Sequence, residues 1–115
     1  MIKVIVKKSI TEDRILHVTI KGHAYYDEPG KDIVCSAVSA LAIGAVNSVE
    51  ILLNLNLNPK EGLEENGYLA WDVPKIDDPQ TDDRLQLLMK AMVESLLMIE
   101  EEYKRYIKVF IETAQ

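Results

Sequence analysis

From Ile33 to Val49 the chain carries no charged residue, and small and apolar residues dominate until Glu50. Such a stretch cannot be wetted on all sides, which leaves a membrane or a protein core to receive it. It falls short of the ~20 strongly apolar residues of a span, and Ser36, Ser39, Asn47 and Ser48 interrupt it. The expected solution is a central helix beginning at about Asp32, apolar nearly all round and buried on a sheet. Asn alternates with Leu from Asn54 to Asn58 and Pro59 follows, so the helix should stop there. Gly44 in mid-helix costs about 1 kcal/mol relative to Ala, which predicts close packing at that point.

The sheet is legible on either side of this helix. Ile2, Val4 and Val6 alternate with Lys3 and Lys7, and Leu16, Val18 and Ile20 alternate with His17, Thr19 and Lys21. Period two marks half-buried strands, and Thr11-Glu12-Asp13 between them predicts a hairpin. His17 then lies on the polar face, as a solvated strand residue and not a site residue. Asn66-Gly67 predicts a short edge hairpin leading into a strand from Tyr68 to Val73. Within it, Trp71 reads as a core or rim anchor in preference to a binding-surface aromatic.

Asp78 as N-cap with Pro79 at the first helical position starts a second helix. Its Leu85, Leu88, Met89, Met92, Leu96, Ile99 and Tyr103 recur at three- and four-residue steps, so it covers one face of the sheet with a core stripe. Glu100-Glu101-Glu102 reads as a solvated helix end, and Ile107, Val109 and Ile111 as a closing strand. The order β-β-α-β(β)-α-β predicts an α+β fold, two helices packed on a mostly antiparallel sheet, in a single domain over 1–115.

Composition narrows the chemistry. Thirteen basic and nineteen acidic residues give a net charge of −6, which disfavours nucleic-acid binding through a general basic face and attracts a cationic peptide. One cysteine excludes an intramolecular disulfide and, with no signal-peptide pattern at the start, leads to the expectation of a reducing, cytoplasmic setting. One Cys and two His do not make a zinc-ligand spacing, and no metal or other cofactor is expected.

The stretch Gly22 to Ser39 holds what chemistry there is. His23 leaves a strand end and Cys35 enters a helix, placing a base and a thiol at opposite ends of a loop that contains Pro29-Gly30. A helix start and a nearby imidazole both favour a thiolate, which a nucleophilic cysteine requires. The plainer reading makes Cys35 a packed core residue, His23 a strand-end histidine and Asp32 a simple N-cap. Residues 24–31 are expected to be mobile and to order on a bound peptide, with Tyr25 and Tyr26 as substrate contacts or loop packing.

Gly22-His23-Ala24, Gly30, and Asp32-Ile33-Val34-Cys35-Ser36-Ala37-Val38-Ser39 closely resemble the motifs of the ribosomal-processing cysteine protease family, Prp. One departure is Ser36, where the family usually has alanine. The resemblance implies a small α+β homodimer, a bacterial endopeptidase that trims an N-terminal extension from large-subunit ribosomal protein twenty-seven. It implies His23 as catalytic histidine and Cys35 as nucleophile, with Asp32 and Ser39 as supports; Gly22, Ala24, Tyr25, Tyr26 and Gly30 are expected against the substrate. The alternative from another class is a non-catalytic ribosome-assembly or ribosomal-protein-binding factor whose acidic surface holds a basic tail. A thiol redox sensor is weakened by the want of a second, resolving cysteine.

Overall fold

The computed structural model describes residues 1–22, 29–62 and 67–114, by backbone alone at 29–32 and 114. Its elements are β1 (Ile2–Ser9), β2 (Ile15–Lys21), α1 (Pro29–Leu53), β3 (Lys60–Gly62), β4 (Tyr68–Asp72), α2 (Pro79–Glu102) and β5 (Ile107–Ala114). One sheet runs β3-β4-β2-β1-β5. Every pairing is antiparallel except β1 with β5, which is parallel. The expected two-helix α+β architecture is therefore present.

Alternation in β1 and β2 does what the sequence implies, burying Ile2, Val4, Val6, Val18 and Ile20 completely. Leu16 is a correction. The register slips between Lys7 and Lys8, and this bulge turns Ile15 into the core while Leu16 stays half-buried. Gln86 of α2 serves as a neighbour for the backbone at that point, accepting from the Ile15 amide at 2.7 Å and donating to its carbonyl at 2.9 Å. Beside it the buried Arg14 guanidinium forks onto both Asp82 oxygens at 2.9 Å. The start of α2 is thus fastened to the β1–β2 hairpin by polar bonds that no local sequence pattern announces.

α2 begins as expected: the Asp78 carboxylate accepts from the Thr81 amide at 3.0 Å and Pro79 opens the helix. Leu85, Met89 and Leu96 are fully buried, and the Trp71 indole N–H reaches the Met89 sulfur at 3.3 Å. Trp71 is 2% exposed, a core anchor. Glu100 is more than a solvated helix end, since its carboxylate accepts from the Val109 amide at 2.6 Å and ties the end of α2 to β5.

α1 differs from expectation in three ways. It starts at Pro29, so Asp32 lies inside the first turn and is not the N-cap, and Pro29-Gly30 is helix in place of a bend. The cause is Pro29, whose fixed φ suits a first helical position where an N–H would have no intrahelical acceptor anyway. Secondly, Ile33–Leu53 is long and apolar enough to cross a membrane, with a mean hydropathy of 1.7. It lies instead on the sheet, with Val34, Val38, Ala42 and Val49 in the core. Thirdly, burial is one-sided: Ile33, Ala40, Ile43, Gly44, Asn47 and Ile51 share an exposed face. A Cβ on Gly44 would meet nothing within 4 Å, so no packing among the described residues offsets that glycine. The helix ends at Asn54, whose φ of 56° is the left-handed conformation of a C-terminal cap.

Candidate active site

The site is built where β2 ends and α1 begins. β2 stops at Lys21, and Gly22 turns the chain with a φ of +87°. A Cβ there would collide with the Met1 carbonyl oxygen, so both the dihedral and the space demand glycine. The Gly22 expected from the motif accordingly has a backbone reason to be what it is.

Cys35 sits in the second turn of α1, half-buried against the core. With the helix starting at Pro29, the thiol is one turn deeper than a start at Asp32 would make it. Helix-end fields act mainly within the first turn, and Cys35 lies beyond it. Helical side chains lean back over the preceding turn, which directs the Cys35 thiol toward the start of α1. Ser39, one turn further along the same face, is half-buried and opens on a cleft of about 250 Å³. Ile20, Val38, Ala42 and Leu69 form its apolar floor, and Glu61 of β3 stands at its rim.

His23, Ala24, Tyr25 and Tyr26 lie outside the described residues, as does most of the loop expected to be mobile. Gly30 and Asp32 belong to the first turn of α1. Among the described residues no group of three His, Cys, Asp or Glu is arranged to hold a metal ion. The second histidine is fully accounted for. His17 lies on the sheet face away from the helices, Nδ1 2.7 Å from Asp72 and Nε2 3.1 Å from Thr19, with the sheet between it and Cys35. Sequence reasoning missed Glu61. The Asn66-Gly67 signal located its hairpin, and pairing of Glu61 with Leu69 turns both toward α1, but no local pattern says which helical residues lie opposite.

The family model of cysteine protease Prp matches residues 1–108. The chain belongs to the cysteine protease Prp family. It is thus a cysteine protease by family, with the expected fold and lineage both established. It is 36% identical to the ribosomal processing cysteine protease Prp of Bacillus subtilis over 109 residues, covering 95% of this chain and 96% of the relative. The crystal structure of an essential ribosomal processing protease Prp from Staphylococcus aureus with a substrate peptide superposes with a TM-score of 0.76 at 30% identity, covering 97% of this chain and all of the other. A second structure of that S. aureus protein, with a covalently linked product peptide, gives 0.70 at 29% identity over the same shares.

Proposed function

We propose that this Prp-family protease removes the N-terminal extension of large-subunit ribosomal protein twenty-seven during ribosome assembly, in the cytoplasm, with Cys35 as nucleophile and His23 as its base. The observation that carries the assignment is the placement of the two other candidates. Cys35 is the sole thiol and lies one helical turn before Ser39, which lines an apolar cleft. His17 is held behind the sheet by Asp72 and Thr19, which supports His23 as the imidazole for Cys35. The covalently linked product in the S. aureus relative supports a covalent route for this chain.

In that route His23 takes the proton of the Cys35 thiol and the sulfur attacks the scissile carbonyl carbon. The tetrahedral intermediate collapses as His23 returns the proton to the leaving amine. Water, deprotonated by His23, then cleaves the thioester and frees the acid. The amides of Gly30 and Lys31 lack intrahelical acceptors because α1 begins at Pro29. They are the available donors for the developing oxyanion. The floor of Ile20, Val38, Ala42 and Leu69 suits an apolar substrate side chain, and Glu61 suits a basic one next to it. Ser39 orients the peptide at the mouth of the cleft, Asp32 supports the helix start, and Gly22, Ala24, Tyr25, Tyr26 and Gly30 face the substrate.

The working unit in this reading is a homodimer. Ile33, Ile43 and Ile51 are 62%, 46% and 79% exposed, and no charge lies between Ile33 and Val49. Ala40 and Gly44 in the same stripe let a second helix come close, as a twofold-related copy of α1 would.

Mass spectrometry of the purified chain incubated with the extended ribosomal protein tests the assignment. A single cut near the substrate N-terminus, absent in Cys35→Ala and in His23→Ala, is the expected result. Binding without cleavage by the unmodified chain would overturn it in favour of an assembly factor.

A further inference from the structure

Both helices lie on one face of the sheet, and the register decides what the other face presents. Lys21 on β2 is opposite Lys3 on β1, which is opposite Lys108 on β5. Tyr68 of β4 ends this row beside Lys21. All three lysines are exposed. One step along the strands, Ile5 is opposite Phe110, and Lys60 of β3 flanks Ala70 of the same row. A third row carries its own acids, because Asp72 is bonded to His17 and Glu112 is opposite Lys7.

The first row has no such relief. Neither Lys3, Lys21 nor Lys108 makes an ion pair among the described residues. Neighbouring strands are ~4.8 Å apart, so three ammonium-bearing strands span roughly 10 Å. Like charges directly opposite are destabilising, and an anion laid along the row would offset that cost. The chain's −6 is an average over two unlike surfaces. Five lysines against Asp72 and Glu112 give the open face a formal +3 and leave −9 for the rest.

We propose that this open sheet face binds single-stranded RNA, with phosphates along Lys21, Lys3 and Lys108 and bases stacked on Phe110 and Tyr68. Both rings are 38% exposed and stand at the two ends of the cationic row, one step apart along the strands. Planar rings beside a lysine track are the features by which sheet surfaces hold unpaired bases. A second copy is a poor occupant, since a twofold pairing of this face sets one lysine row against the other. An acidic peptide would use the charge and leave the rings without a stacking partner.

The test is fluorescence anisotropy of a labelled oligouridylate of about ten nucleotides, a length that spans the face. Binding should weaken with salt, with a log–log slope near −2 for three single-strand phosphate contacts. Lys3→Glu with Lys108→Glu should weaken binding at least tenfold, and Phe110→Ala by about fivefold or more. Cleavage of a short peptide substrate should be unchanged in both. If the glutamate variant fails to fold, by circular dichroism, Lys3→Gln with Lys108→Gln carries the same comparison. No binding at low salt, equal binding by the variants, or displacement of the RNA by an equal concentration of polyglutamate would each overturn the proposal.

Discussion

Asp82→Asn should separate the electrostatic part of this fold from its apolar core. The Asp82 carboxylate accepts two bonds from Arg14 and one from the Ile76 amide, all at 2.9 Å. The Arg14 bonds first, and the amide second, hold its pKa down at about 2 against an ordinary 3.8. At about 1.4 kcal/mol per unit the full shift is worth ~2 kcal/mol. The polar cleft beside the pair screens part of it, so about 1 to 2 kcal/mol is the expected charge contribution. Because the folded chain gives up this proton more readily than the unfolded one, the contribution is complete above pH ~4 and is lost as pH falls through ~2. Asp13, bonded to Lys90 and Lys8, and Asp78, bonded to Thr81, are also lowered, so the informative quantity is the difference between variant and parent. Asparagine also leaves Arg14 without a charged partner, and a total loss of about 2 to 3 kcal/mol is expected near pH 7. Urea unfolding followed from about pH 7 to pH 2 measures this. The two proteins should converge toward acid. A gap below about 0.5 kcal/mol near pH 7, or one that persists undiminished near pH 2, would refute the reasoning.

Gly22→Ala should lower stability by about 2 kcal/mol or more, since it adds left-handed strain to a clash with the Met1 carbonyl; an unchanged melting temperature would remove Gly22 from the site's framework. Glu61→Gln should raise KM about two- to fivefold for a basic peptide at constant kcat, with no effect on a neutral one, measured by steady-state cleavage. Ile43→Glu with Ile51→Glu should convert a dimer into a monomer in sedimentation, because each copy would bury two charges in the apolar stripe; an already monomeric parent would end the homodimer reading.

What the sequence revealed and what it hid follow from the range of each interaction. Strand alternation, the Asp78-Pro79 helix start and the β3–β4 hairpin depend on residues a few positions apart, and all were legible. Arg14 and Asp82 are 68 residues apart, and nothing in either neighbourhood marks the other as its partner. The parallel β1–β5 pairing is hidden for the same reason, since β5 reads as a closing strand whichever edge it joins. In the site, Cys35 and Ser39 were legible as a helical pair at i and i+4. Their depth was misjudged by one turn, because Asp32 is a good N-cap by residue type and Pro29 is a better start by geometry.

The uncharged stretch Ile33–Val49 shows how a correct local reading can stop short of the whole. The absence of charge was rightly taken as a demand for burial, yet the sheet meets only the side of Val34, Val38, Ala42 and Val49. The opposite side keeps Ile33, Ile43 and Ile51 in water, and a glycine at 44 where an added Cβ would meet no described residue within 4 Å. A monomer gains nothing from either feature, whereas a second copy would bury the isoleucines and use the space over Gly44. The same averaging hid the sheet face, where a chain of net −6 sets three lysines side by side. In both places the informative quantity is the pattern on one face, which becomes visible only once the register assigns residues to faces.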